Sequence, residues 1–277
     1  MHHIGVLIVW SEYDMDFKKR FRDLLEIDLD CCQISCWHPE FYTEEAAKRI
    51  REAMDETGVE VTALWAGWTP AGEWNVQFGP QTLGLVPAAY REHRLAEVKA
   101  GADFAYRIGV ENVVTHVGFL PETPDHPDYI GTVAALRNLC RHMAPRNQTF
   151  LFETGQETPM TMLRTIEMIG MPNVGINFDT ANLILYGRGN SVDAIEVFGK
   201  YVRNLHLKDG NLPTSGMELG KEVPLGTGRA NIPEVLKRLE EIGYQGPWII
   251  EREISGEQQR KDIVAGRDLL REIEKTL

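Results

Sequence analysis

Residues 149–208 read TFLFETGQETPMTMLRTIEMIGMPNVGINFDTANLILYGRGNSVDAIEVFGKYVRNLHLK. Three short apolar runs, TFLFETG (149–155), VGINFD (174–179) and VRNLHLK (202–208), are separated by stretches of helical periodicity at 158–170 and 191–199. The runs are continuous rather than alternating in polarity, as in strands covered on both faces of a parallel sheet. Each also carries an ionisable side chain near its C-terminal end: Glu153, Asp179 and His206.

The same alternation extends outward in both directions. Five further runs are IGVLIVW (4–10), CCQISCW (31–37), VEVTALW (59–65), NVVTHVG (112–118) and WIIERE (248–253). Helical patterns fill the intervals at 15–27, 43–58, 86–109, 128–144, 231–243 and 259–277. Thr43 and Gly58 bound one of these as cap and stop. Asn231, Pro233 and Gly243 give another the expected asymmetry of its two ends. Eight strand–helix units in 277 residues predict an α/β fold, a single (β/α)8 TIM barrel spanning 1–277. A doubly wound open sheet is the alternative, but the segment after the first run, SEYDMD, is not the Gly-rich phosphate turn such a sheet wants. The insert AGWTPAGEWNVQFGPQTLGL (66–85) has the length and Gly/Pro/aromatic content of a lid, with Trp68, Trp74 and Phe78 expected on its underside.

Composition narrows the function. Apolar residues are 43% and charged residues 25%, ordinary for a soluble globular chain. Lys+Arg 29 against Asp+Glu 41 gives −12, which argues against a nucleic-acid or anionic-membrane partner. No apolar run approaches the ~20 residues that cross a bilayer. The start MHHIGVLIVW lacks the basic segment and cleavage site of a signal peptide. Cys31, Cys32, Cys36 and Cys140 read as reduced, buried thiols, and a cytoplasmic location is expected.

In a barrel the functional groups sit at the C-terminal strand ends. In order these ends carry Glu12, Trp37-His38, Trp65 with Trp68 beyond, His116, Glu153, Asp179, His206 and Glu251. Singly, Asp179 could cap a turn and His206 could be a core histidine. Together, the last four lie on four neighbouring strands, and three carboxylates converging on one point need a cation to coexist. Three oxygen ligands and one nitrogen suit one divalent ion, Mn²⁺ first, with Mg²⁺ or Co²⁺ as alternatives. Glu253 shares a face with Glu251, which is preferred because it follows WII directly. Around the mouth, His116, His38, Lys208, Arg229, Trp68 and Glu12 are candidate substrate contacts. The tryptophans suit the C–H faces of a sugar. The turn Gly226-Thr227-Gly228-Arg229 occupies the place of many barrel phosphate sites, although its shape alone explains it.

The segments FLFETG, GINFDTANLILYG, VRNLHLKDG and VPLGTGRANIPEVLKRLEEIGYQGPWIIEREISG resemble the sugar phosphate isomerase/epimerase group of the xylose isomerase-like barrel superfamily, from about Phe104 to the end. The resemblance implies one metal held by Glu153, Asp179, His206 and Glu251, with Glu153 and Glu251 as the acid/base pair. The implied reaction removes a proton next to a ketose carbonyl through a metal-stabilised enediolate. Return of the proton to the opposite face epimerises, and return to the neighbouring carbon isomerises. Loss of a β-leaving group instead makes a lyase or deglycosidase acting on a 3-keto-sugar, keto-glycoside or keto-inositol, the alternative reading. Many sugar epimerases carry a substrate-contacting histidine three residues after the Asp. Asn182 stands there, so it joins the candidate contacts while the substrate stays open. A small sugar is the expected partner, and relatives suggest a homo-oligomer. A DNA phosphodiesterase of the same fold is disfavoured by the acidic charge and by too few strand-end histidines. A metal-free binding module would be expected to lose the four ligand residues, and all are present.

Overall fold

The computed structural model describes residues 2–277. Eight parallel strands close into a barrel: β1 (Ile4–Trp10), β2 (Cys31–Cys36), β3 (Glu60–Ala66), β4 (Asn112–Thr115), β5 (Thr149–Glu153), β6 (Val174–Asp179), β7 (Val202–Leu207) and β10 (Trp248–Ile250). Closure is made where β1 pairs with β10, with Gly5 opposite Ile249. The principal helices between them are α1 (Phe17–Leu25), α2 (Glu44–Thr57), α4 (Ala88–Arg107), α5 (Pro127–Met143), α6 (Pro159–Ile169), α8 (Ser191–Phe198), α9 (Ile232–Glu241) and α10 (Glu257–Glu274). Two single-turn helices, α3 (Gly79–Thr82) and α7 (Asn182–Leu185), lie in the connections. The sequence pattern therefore locates all eight barrel strands. It overextends the last, because Glu251–Glu253 already lie beyond β10. It also misses a two-stranded antiparallel hairpin, β8 (Asp209–Asn211) with β9 (Lys221–Val223).

The strands bury both faces. Ile4, Val6, Ile8 and Trp10 of β1 pack outward into a large apolar layer shared with the helices. Ala63, Trp65, Val114 and Leu151 form a separate small cluster inside the barrel. The helix ends follow local chemistry. Thr43 Oγ1 accepts the Ala46 N–H at 3.1 Å, and Gly58 closes α2 at φ +74°. Asn231 does precede α9 but makes no side-chain cap. It sits at φ +53°, a left-handed conformation that Asn tolerates better than most residues.

The 66–85 insert is anchored at both ends. Arg94 of α4 is fully buried and donates to the carbonyls of Thr69, Pro70, Thr82 and Gly84, at 3.2, 2.8, 2.7 and 2.7 Å. Its guanidinium also stacks 4.0 Å from the Trp68 ring. Gly84, at φ +67°, crosses the chain after β4 so closely that a Cβ would stand 2.0 Å from the Val117 carbonyl oxygen. Only the middle of the insert, 71–81, lies outside this clamp. Arg94→Met keeps much of the side-chain volume but strands four carbonyls. A loss of about 3 kcal/mol is expected from the charged hydrogen bonds removed, read as a lower urea midpoint.

Candidate active site

Glu153 ends β5, Asp179 ends β6, His206 is the penultimate residue of β7, and Glu251 follows β10. Register brings them together: Asp179 lies opposite His206 across the β6–β7 pair, and His206 opposite Ile249 across β7–β10. One ligand atom from each falls within 4.8 Å of all the others. Glu253 is more than half exposed and stays outside this group.

Buried side-chain amides orient His206 and Glu153. His206 Nε2 donates to Gln33 Oε1 at 2.9 Å, which leaves Nδ1 facing Glu153 Oε1 at 2.9 Å and Glu251 Oε2 at 3.1 Å. Gln33 Nε2 donates to Asn177 Oδ1 at 2.8 Å, and Asn177 Nδ2 donates to Glu153 Oε2. The cycle His206–Gln33–Asn177–Glu153 is thus closed across the barrel interior. Asp179 is held differently. Its Oδ1 accepts the N–H groups of Ala181 and Asn182, both at 2.7 Å, while buried Oδ2 has no hydrogen-bond partner. Lys208 Nζ lies 3.0 Å from Asp179 Oδ2, Glu251 Oε2 and Glu253 Oε1.

Protein groups alone leave these charges in tension. Burial pushes the carboxyls of Glu153 and Asp179 upward, against the pull of His206 on the first and Lys208 on the second. Burial also acts to raise Glu251, but Lys208 and His206 outweigh it and hold that carboxyl well below its ordinary range. Burial acts to lower His206 and Lys208, yet the surrounding carboxylates keep both well above their usual values. A divalent cation among three buried carboxylates relieves this tension. Asp179 Oδ2, which lies against the Lys208 ammonium without a hydrogen bond, and His206 Nδ1, which faces Glu153 and Glu251, are suited to such an ion.

The cluster floors a cavity of about 700 Å³. Of the four residues, Glu153 and Glu251 line it, whereas Asp179 and His206 are sealed beneath. His116 and Asn182 also line it. His116 is held neutral, its imidazole pushed down to about 3 by burial and by Lys208, and its Nδ1 has no partner. Asn182 Nδ2 donates to the Thr154 carbonyl at 3.1 Å.

Other expected contacts lie elsewhere. Trp68 is buried under the insert and donates from Nε1 to the His116 carbonyl, because Arg94 pins it there. His38 turns outward to pair with Glu40 and stack on Phe41. Glu12 is exposed past β1, and Arg229 is exposed past the hairpin; neither lines the cavity. Phe78 is also exposed, so Trp74 is the member of the expected apolar underside that reaches the cavity. The glycine turn is already filled. Asp209 accepts the N–H groups of Gly226, Gly228 and Ala230 at 2.8–3.0 Å, taking the place a phosphate would need. Gln33 and Asn177 escape the strand-end reading because they sit mid-strand. Their signal is an amide inside an apolar run, which is costly to bury unless bonded.

A model of the family described as xylose isomerase-like TIM barrel matches residues 21–273. Among solved structures, a xylose isomerase domain protein from Planctomyces limnophilus is 36% identical, over 99% of this chain and 98% of that one, with a TM-score of 0.92. A D-tagatose 3-epimerase-like protein is 19% identical over 100% and 98% of the two chains, with a TM-score of 0.75. The 3-keto-D-glucoside 4-epimerase of E. coli is 17% identical over 99% and 98%, with a TM-score of 0.70. The length of the family match and the 36% identity together place this chain in the xylose isomerase-like TIM barrel family.

Proposed function

We propose that the protein is a divalent-metal-dependent sugar isomerase or epimerase that moves a proton on the carbon next to a ketose carbonyl. The observation that carries this reading is the division within the cluster: two glutamates open onto the cavity while the Asp and His are sealed below. A purely structural acidic cluster has no reason to aim two carboxylates at the same cavity. The epimerase names of two fold neighbours agree with this reading.

Glu153, Asp179, His206 and Glu251 would hold the ion, with Mn²⁺ the best match to three oxygens and one nitrogen. When bound, the ion supplies fixed positive charge that stabilises the enediolate of the substrate. Glu153 and Glu251 take and return the carbon-bound proton. His116 and Asn182, which line the cavity, hold substrate oxygens and fix which carbon is presented, whereas Lys208 is buried off the cavity and serves as counter-charge to Asp179, Glu251 and Glu253. Sealing Asp179 and His206 keeps water from competing at the floor of the site.

One divalent ion per chain is expected by metal analysis, with a strong fall in content for both Asp179→Asn and His206→Ala. Full content in both variants would falsify this ligand set. Gln33→Leu removes the acceptor that fixes His206 without touching a ligand, and outer partners of this kind are worth roughly 10–100-fold in metal affinity. A competition titration with a chelating dye reads that loss directly.

Glu153→Gln and Glu251→Gln keep size and one ligand oxygen but take no proton. Each is expected to lose about 10²–10⁴-fold in turnover with metal partly retained. In D₂O, read by NMR over a panel of ketoses and 3-keto-glycosides, solvent deuterium should still enter substrate in one variant and not in the other. Near-normal turnover of both variants with metal bound would reduce the glutamates to ligands only.

A further inference from the structure

The cavity has two chemically distinct halves. One half is the acidic floor on β5, β6, β7 and β10, closed on the outside by the hairpin. Glu222 of the hairpin pairs with Arg252 at 2.9 Å and ties β9 to the end of β10. The other half lies over β1–β4 and is aromatic. Trp37, Trp65 and Trp74 line it, with Val9 beside them. Trp37 packs against Trp65 at 4.7 Å between centroids and meets Trp74 edge-on at 5.9 Å. His116 stands edge-on to both Trp65 and Trp74, at 5.6 and 5.1 Å. The rings therefore hold one another in place before any ligand arrives.

Trp65 belongs to the buried cluster inside the barrel and Trp37 packs on it, but Trp74 and Val9 are not taken up by the core. Trp74 is 40% exposed and Val9 51% exposed, although both border the site. Exposed apolar surface beside a polar catalytic floor marks a surface kept for a ligand. Cavities of roughly 300–1,000 Å³ hold drug-sized molecules. At about 700 Å³, this one is larger than a single hexose seated over Glu153 and Glu251 requires.

We infer that the substrate is a keto-sugar glycoside whose second ring packs into the corner made by Trp74 and Trp37, face-on to one and edge-on to the other, while its keto-sugar ring sits over Glu153 and Glu251. The inference rests on the proton-transfer reading above and adds the substrate class. The second ring is flat or presents a C–H face, so an aryl group or a second sugar would both satisfy the tryptophans. A free ketose would leave the aromatic half wet.

The test uses the Mn²⁺-supplemented protein and three probes: methyl 3-keto-β-D-glucoside, phenyl 3-keto-β-D-glucoside and 3-keto-cellobiose. Affinity is measured by isothermal titration calorimetry, and solvent deuterium wash-in by NMR on the same samples. Packing against this held aromatic corner predicts that a ring-bearing probe binds about tenfold more tightly than the methyl glycoside. Preference for the phenyl probe alone, or for the disaccharide alone, supports the subsite and identifies the ring it takes. Trp74→Ala should collapse that ratio to less than about threefold, and Trp74→Phe should keep most of it. Equal affinity for all three probes, no binding by any, or a ratio untouched by Trp74→Ala overturns the inference. Deuterium wash-in without ring preference removes only the second-ring subsite. Ring preference without wash-in for any probe keeps the subsite and removes the proton-transfer reading on which the substrate class depends.

Discussion

The hydrogen-bond cycle His206–Gln33–Asn177–Glu153 is the constraint on which the site depends. It crosses the barrel interior from β7 to β2 and returns through β6 to β5. Barrel interiors are ordinarily filled with branched apolar side chains, which pack well but orient nothing. Here amides take those places, with Asn204 and Thr62 bonded to each other nearby. Every polar atom placed in the interior must be paired, so the strands are locked in one register. A slip of one residue would turn the whole set to the other face. The fold and the orientation of the imidazole are therefore specified by the same bonds.

Charge is handled by the same economy of partners. Three carboxylates are buried or nearly so around His206 and Lys208, each held by a different device. Glu153 is fixed by Asn177 and His206, Asp179 by two backbone N–H groups at the start of α7, and Glu251 by His206 and Lys208. Asp209, next in sequence to Lys208, faces away and organises the turn before α9. A Cβ on Gly228 would stand 2.3 Å from its Oδ1, so that turn needs glycine for close approach. One short stretch, HLKD (206–209), thus serves the cluster, its counter-charge and the adjoining loop.

Much of this is legible in the chain because strand ends and ionisable residues coincide. FLFE and NFD finish their strands on the group that joins the cluster, NLH places it one residue short of the end, and a parallel barrel brings consecutive strand ends together without further information. What lies outside this logic is decided by contacts distant in sequence. His38 follows a strand end as His206 nearly does, yet Glu40 and Phe41 draw it outward. Trp68 and Trp74 look equivalent in the insert, but Arg94, twenty-six and twenty residues away in the chain, stacks on the first and leaves the second at the mouth. Gln33 looks out of place in CCQISC until its partners on β6 and β7 are known.

The two halves of the mouth then have different tolerances. The acidic half is built on strand ends and a closed hydrogen-bond cycle, so a change there propagates through groups that have no alternative partner. The aromatic half rests partly on an insert whose ends are clamped by Arg94 while its middle, carrying Trp74, meets the cavity edge. Substitutions in 71–81 can reshape that wall without disturbing His206 or the glutamates, because no bond of the cycle passes through them. Chemistry fixed on the strands and substrate range set by a stapled insert is a division the barrel allows because its functional face is made of separate loops. In this chain the staple is centred on one buried guanidinium, with Glu97 holding Thr69 beside it, so the shape of the binding wall depends on residues that do not themselves line the cavity.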